Sequence, residues 1–338
     1  MYKLSEEIIL LIVNNLSIKD VIKFRITTIN NKNIVKYYDS NEIIYIKGSL
    51  KDWNESFPYI KYANISRRND ITDDDFKYLK HVKKLNMTLC DTFKITDDTF
   101  RHLKEILDLD LGGCCTPWKY HFTDKSFKYF SNLEKLYIDN NHEITNYGIQ
   151  NLKNIKNLTL MNCSKITNFG LSNLTSLITL ELYNIYELTD DVFINLKNIE
   201  NLKMTFIKNI TDTGIMYLSK LKKLDYLGNN LKFNNFDKLK NLNKLNISYC
   251  SITDDMLINL RNINNIIIYG CKINGSSLEH LINIKTIAIY ECPITNDNLN
   301  NFYKFKNIKK ICIFRCSLIS KNKKQELKIF FGDIFITD

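Results

Sequence analysis

An apolar pattern that returns every 21 to 27 residues constrains this chain more than any other feature. The motif apolar-x-x-apolar-x-apolar stands at Val82–Met87, Leu133–Ile138, Ile155–Leu160 and Leu242–Ile247. Its second apolar position recurs at Leu85, Leu109, Leu136, Leu158, Leu180, Leu202, Leu224, Leu245, Ile266, Ile287 and Ile311. Ala63-Asn64-Ile65 is a weaker earlier copy, and Ile44-Tyr45-Ile46 stands where the series would begin. Self-similarity at such a period marks stacked supersecondary units. A stack also suits 338 residues, because a single compact core stops growing near 250–300.

Each unit carries two further signals. Five residues after the anchor comes Cys90, Cys114, Asn141, Cys163, Ile185, Ile207, Asn229, Cys250, Cys271, Cys292 or Cys316. Then follows an Ile-Thr-Asp/Asn triplet, as at 71–73, 95–97, 144–146, 166–168, 210–212, 252–254 and 294–296. Threonine is a helix N-cap, and aspartate in the first turn meets the positive end of the helix dipole. Helical apolar spacing follows, as in Phe100 and Leu103 or Leu257 and Leu260. The expected unit is a short strand, a turn and a capped helix of about two turns. Leu231-Lys232-Phe233 replaces the triplet once, so that unit should have the loosest helix start.

The consensus L-x-x-L-x-L-x-x-C-x-x-I-T-D-x-x-L-x-x-L resembles the cysteine-containing leucine-rich repeats over about residues 60–320. The resemblance implies an α/β leucine-rich-repeat solenoid with a curved parallel sheet and convex helices. Residues 41–320 would form the repeats and 321–338 an apolar capping tail. Seven of the nine cysteines share the turn position, which also takes Asn and Ile. That points to a small buried group, not a metal or redox ladder, and no C-x-x-C pair is present. No metal and no cofactor are expected.

Residues 1–40 do not follow the repeat. Ser5 caps a helix with apolar positions Ile8, Leu11, Ile12 and Leu16, and Ser17 with Asp20 starts a second. The pattern from Leu4 to Ile22 resembles the first two-thirds of an F-box. Ser5 stands where the family has proline, and Thr27, Thr28 and Asn31 stand where Val, Cys and Trp are usual. The resemblance implies contact with the small adaptor subunit of cullin–RING ubiquitin ligases. The positions that carry over are Leu4, Ile8, Ile9, Ile12, Val13, Leu16, Val21 and Ile22. The alternative is a helical cap whose apolar face is buried on the repeats.

Residues between the buried strand positions should line the concave face. The last units are apolar and aromatic there, with Ile267, Ala288 and Cys312 beside Tyr269, Tyr290 and Phe314. Together with Tyr183, the residues Ile267, Tyr269, Tyr290 and Phe314 form the expected target-binding surface, since aromatics anchor interface cores. The competing expectation is that the tail from Leu327 to Ile336 folds back over them. A further column holds Lys84, Lys135, Lys223, Lys244 and Lys310 against the single acid Asp108, a basic lean.

The formal net charge is +10, but many lysines fit a solvated face. The abundance of Asn, Ile, Lys and Tyr reads as AT-rich codon usage more than chemistry. No nucleic-acid motif, phosphate-binding glycine loop, nucleophile–base pair or metal-ligand spacing occurs around His81, His102, His121, His142 or His280. The chain is therefore expected to be neither an enzyme nor a nucleic-acid binder. No signal peptide or membrane span is evident, so a reducing cytoplasmic or nuclear location is expected, with no membrane partner. The expected function is substrate recognition for a cullin–RING ubiquitin ligase of the SCF type, by a protein monomeric outside that complex. The alternative is an adaptor-independent interaction scaffold or effector.

Overall fold

The computed structural model describes residues 6–25, 43–90, 94–113 and 122–338. Leu4, Cys114, Cys115, His121 and the stretch with Thr27, Thr28 and Asn31 lie outside them. Among the described residues, fourteen parallel strands follow one another in chain order. The chain forms two compact units, residues 1–166 and 167–338.

The first unit begins with helices α1 (Glu6–Asn14) and α2 (Ile18–Arg25), with helix α3 (Leu50–Ser56) further on. Its strands are β1 (Ile44–Tyr45), β2 (Tyr62–Asn64), β3 (Lys84–Asn86), β4 (Asp108–Leu111), β5 (Lys135–Asp139) and β6 (Asn157–Met161). Anchor residues pair in register, Ala63 with Leu85, Leu85 with Leu109, Leu109 with Leu136 and Leu136 with Leu158. Each alternates inward, so the leucines and isoleucines stack into a continuous buried column.

The second unit holds β7 (Thr179–Tyr183), β8 (Asn201–Thr205), β9 (Lys223–Leu227), β10 (Lys244–Ser248), β11 (Asn265–Tyr269), β12 (Thr286–Tyr290), β13 (Lys310–Phe314) and β14 (Phe335–Thr337). The tail therefore does not fold back over the aromatic face. It forms the helix Lys321–Phe331, which buries Leu327, and then adds β14 beside β13, with Phe335 buried against Ile311.

The expected two-turn helices are shorter and tighter. Most are 3-10 segments of three to seven residues, such as Asp73–Leu79, Asp97–His102 and Asp254–Leu260. A 3-10 helix advances about 2.0 Å per residue against 1.5 Å for an α-helix, so it returns the chain within a short repeat. Thr96, Thr123, Thr145, Thr167 and Thr211 cap their helices as the pattern requires. The unit expected to start loosest has a three-residue helix, Phe236–Lys238, without a side-chain cap, but it is not alone: Leu278–His280, after Ile273-Asn274-Gly275, is equally short and uncapped. The loop before Phe236–Lys238 is held instead by the Asp212 carboxylate, which accepts backbone N–H groups of Lys232, Phe233 and Asn234.

The triplet acid does more than meet its own helix dipole. Asp97 accepts the backbone N–H of Thr123 at 2.7 Å and its hydroxyl at 2.8 Å, one repeat on. Asp73 holds Thr96, Asp124 holds Thr145 and Asp190 holds Thr211 in the same way. A second ladder belongs to asparagine. The side-chain amides of Asn154, Asn198, Asn241 and Asn283 donate to carbonyls of Ser131, Thr175, Ser219 and Arg261 in the preceding repeats. Codon usage is thus an insufficient account of the asparagines. They satisfy backbone carbonyls where short helices end.

The turn position is buried in most units but not at Asn229, and it takes the larger Ile185 and Ile207 as well as cysteine. Cys90, Cys163, Cys250, Cys271, Cys292 and Cys316 are buried and unpaired as disulfides. The Cys163, Cys250, Cys271 and Cys292 thiols donate to the carbonyl two residues earlier, at 3.2–3.4 Å. Asn141 fills the same place with its carbonyl oxygen accepting from the Glu143 and Ile144 N–H groups.

Candidate interaction surfaces

The residue four places past most anchors turns the chain out of the strand with positive φ, at Asn140, Asn162, Asn184, Phe206, Tyr249, Gly270, Glu291 and Arg315 among others. That turn decides which side chains border the strand face. In the second unit it brings Tyr249 beside Tyr269, edge-on, with ring centroids 5.1 Å apart and planes inclined at 65°. Tyr269 stacks on Tyr290 at 5.8 Å, and Tyr290 on Phe314 at 5.5 Å with planes 8° apart. Four aromatic rings on consecutive repeats make a ladder, half-exposed from Tyr269 to Phe314. Tyr249 escaped the sequence reading because it lies just outside the strand columns. Only the positive-φ turn places it there.

Beside the ladder runs a second row in register, Ile267, Ala288, Cys312 and Ile336. The outer two are 39% exposed each, while Ala288 and Cys312 are buried between them. Ile336 thus belongs to the surface that the tail was expected to cover.

Tyr183 is not part of this cluster. Its register runs through Thr205, Leu227 and Ser248 before reaching Tyr269. Tyr183 instead donates to Glu181 at 2.9 Å, with the Lys203 ammonium 5.1 Å from its ring centre. Burial raises its hydroxyl pKa, and the hydrogen bond to Tyr183 raises that of Lys203.

A polar clasp closes one side of the aromatic ladder. The Tyr269 hydroxyl donates to Glu291 at 2.8 Å, and Arg315 contacts the same carboxylate oxygen at 3.1 Å. The Glu291 and Tyr249 contacts push the Tyr269 hydroxyl up to about 12. Hydrogen bonds from Tyr269 and Arg315 hold Glu291 below the usual carboxylate range.

The basic lean expected of the strand face is largely cancelled. Lys84 and Lys135 both reach Asp108, at 3.0 and 3.8 Å, and Lys223 pairs with Asp225 at 2.7 Å. The neighbouring column supplies Asp225, so counting one column alone overstated the charge.

In the first unit, the F-box-like positions divide. Ile8 and Ile12 are each 47% exposed and Ile22 is 39% exposed, whereas Val13 and Val21 are fully buried. Ile9 and Leu16 are half-buried. Leu11, absent from the expected set, is the most exposed of these side chains at 68%. Ile22 borders a depression of about 280 Å³ whose far wall is Asp52, Trp53 and Ser56 of α3 and Phe57. Val13 and Val21 point inward because α1 and α2 need a shared apolar seam, so they act on this surface only by supporting it.

No helix among the described residues is long and apolar enough to cross a membrane. Nor do the described residues contain a group of three or more His, Cys, Asp or Glu side chains able to hold a metal ion.

No family model and no curated protein matches the sequence. Solved structures do match the fold. An internalin from Listeria monocytogenes strain 4b F2365 is similar over 98% of this chain and 94% of its own, at 16% identity and a TM-score of 0.63. TLR13, in a TLR13–ssRNA13 complex, is similar over 94% of this chain but half of its own, at 18% identity and a TM-score of 0.59. Both are leucine-rich-repeat proteins, and at these identities the likeness concerns architecture alone. The parallel strand order, the in-register anchors and these likenesses together give the chain the leucine-rich-repeat solenoid fold.

Proposed function

We propose that this chain is a protein-recognition scaffold that binds a target through the aromatic ladder of its second unit. The carrying observation is the run Tyr249, Tyr269, Tyr290 and Phe314, the first pair edge-on and the rest stacked, flanked by exposed Ile267 and Ile336. Stacking pre-orders the rings, so little side-chain entropy remains to be lost on binding. Aromatics of this kind concentrate interface energy.

The finer reading is substrate recognition for a cullin–RING ubiquitin ligase. Its support is the F-box-like pattern of residues 4–22 and the exposed face of Ile8, Leu11, Ile12 and Ile22, which a pure structural cap would bury. Here the chain performs no chemistry. It supplies proximity, holding a target lysine near the charged conjugating enzyme. Seven buried free thiols fit a reducing cytoplasmic or nuclear location.

A pulldown with the purified adaptor tests this, run beside Leu11→Asp with Ile12→Asp. Both sites are exposed, so circular dichroism should remain unchanged. Binding by the wild type that the double variant loses supports the ligase reading. No binding by a folded wild type leaves an adaptor-independent scaffold, with the ladder still its recognition surface.

A further inference from the structure

The helical side of the first unit carries an open depression of about 660 Å³, lined by Arg101, His102, Lys104, Lys128, Tyr129 and Ser131. Two adjacent repeats build it at one register. Arg101 and Lys128 each stand five residues past the capping threonine, Thr96 or Thr123. Three full cations thus share one concavity that no carboxylate lines.

The nearby acids are hydrogen-bonded within the repeats and do not reach the depression's cations within ion-pair distance. Asp97 is held by Thr123 and Ser126, and Asp73 by Thr96 and Thr99. Glu105 pairs with His81 at 2.9 Å, and Asp98 accepts the Tyr129 hydroxyl at 3.2 Å. Among the described residues, Arg101, Lys104 and Lys128 make no ion pair, whereas Lys156 and Lys222 pair with Glu134 and Glu200. The inter-repeat ladder therefore keeps the acids out of ion-pair distance of these cations, and Asp73 acts on Arg101 only at longer range.

Arg101 is also oriented. Its Nε donates to His102 Nε2 at 3.1 Å, which keeps that ring nitrogen an acceptor and leaves the Nη groups as further donors. Burial, then Arg101 with a smaller contribution from Lys77, lowers the His102 pKa against the opposing pull of Asp74 and Asp73. A planar guanidinium fork with ammonium groups beside it matches the oxygens of a tetrahedral dianion.

We propose that this depression binds a phosphate monoester dianion, carried by a phosphorylated peptide or by a small phosphate compound. Nucleic acid fits less well, because it needs free aromatic faces for stacking. Here Lys128 lies over the Tyr129 ring at 4.8 Å and Lys77 over Tyr78 at 5.2 Å. The site is independent of the aromatic ladder and of the α1–α2 face.

The test is a histidine-ring NMR titration of the full chain. The probes are inorganic phosphate, a phosphoserine peptide with neutral flanks, its unphosphorylated twin, and polyuridylate. The expected result is a saturable shift of the His102 resonances with the phosphoserine peptide and none with its twin. The His102 pKa should rise, because a bound anion favours imidazolium. Arg101→Gln and Lys128→Gln should each weaken binding roughly tenfold or more, the loss of one charge-assisted contact. Lys244→Gln, on the strand face of the other unit, should change nothing. Binding of inorganic phosphate without the peptide supports the site and assigns it to small phosphates. Absence of a saturable shift with either phosphate probe overturns the proposal. So does unchanged affinity in both folded variants, or binding of polyuridylate alone.

Discussion

The carboxylate of Asp190 accepts the backbone N–H of Thr211 at 2.7 Å and its hydroxyl at 2.6 Å, one repeat further on. A Cβ on Gly214, three residues past that threonine, would come within 2.5 Å of the same carboxylate. Gly148 stands in the same relation to Asp124. Where this register holds Thr99 or Ser126, the hydroxyl instead donates to the acid, Asp73 or Asp97. Small residues recur here because an inter-repeat carboxylate needs the space or the donor.

This makes a graded prediction for the ladder. Asp190→Ala should lower unfolding free energy by about 1–3 kcal/mol, the range for hydrogen bonds to a charged group. Asp190→Asn should lose less, since Asn168 already accepts the Thr189 N–H at 3.0 Å. Gly214→Ala should destabilise by about 1–3 kcal/mol through overpacking. Gly214→Ser should cost less, because its hydroxyl can donate to Asp190. Urea denaturation of the four variants checks the order, and equal losses for Gly214→Ala and Gly214→Ser would sink the explanation.

The end of the second unit should be acid-sensitive. Asp338 is held by Lys324 and by the Arg315 backbone N–H at 2.7 Å. These contacts bring its carboxyl down to about 2, from 3.8. A depressed folded-state pKa contributes stability above the unfolded value and loses it as pH falls through the folded one. Amide exchange of β14 should therefore accelerate between about pH 4 and pH 2. Lys324→Gln should weaken β14 already at neutral pH, by removing the ammonium partner.

The aromatic ladder should show its clasp at high pH. Tyr269 ionises at about 12 against 10 for a free tyrosine. A phenol with a raised folded-state pKa contributes stability below the unfolded value and loses it as pH rises from 10 to 12. Ultraviolet titration of the wild type minus Tyr269→Phe should isolate one tyrosine titrating near 12. Glu291→Gln should bring that transition back toward 10. An unmoved transition would mean that Glu291 is not its cause.

The buried thiols should be inert in the folded chain. Burial pushes Cys163 and Cys292 up to about 12 and Cys90 up to about 11. In a Cys114→Ser, Cys115→Ser background, an aromatic disulfide reagent should label the remaining seven cysteines only as the protein unfolds. Rapid labelling under native conditions would show that the turn position is open. Cys163→Asn should be tolerated better than Cys163→Asp, because Asn141 demonstrates that an amide fits this register, whereas a buried carboxylate would have to shed its hydration.

Much of this molecule could be read in one dimension. The strand anchors, repeated eleven times, and the Thr caps and turn position that accompany most of them are local patterns that chance cannot imitate, and the register of Leu85, Leu109 and Leu136 follows from the period. The aromatic strand residues Tyr269, Tyr290 and Phe314 were visible for the same reason, as one column of a parallel sheet. What repetition could not convey was every interaction running between repeats of unlike sequence. Asp190 looked like a helix-dipole partner because its true partner, Thr211, is 21 residues away. The asparagine ladder looked like codon usage, and the lysine column looked basic until Asp225 appeared beside Lys223. Tyr249 joined the aromatic ladder, and Tyr183 stood apart from it, through a positive-φ turn and the number of strands between them. The outward face of α1, with Leu11 its most exposed side chain, was likewise settled by packing, because an apolar stripe does not say which of its residues the seam will use. Periodicity is a property of the chain, whereas the choice of neighbour across a repeat is a property of space.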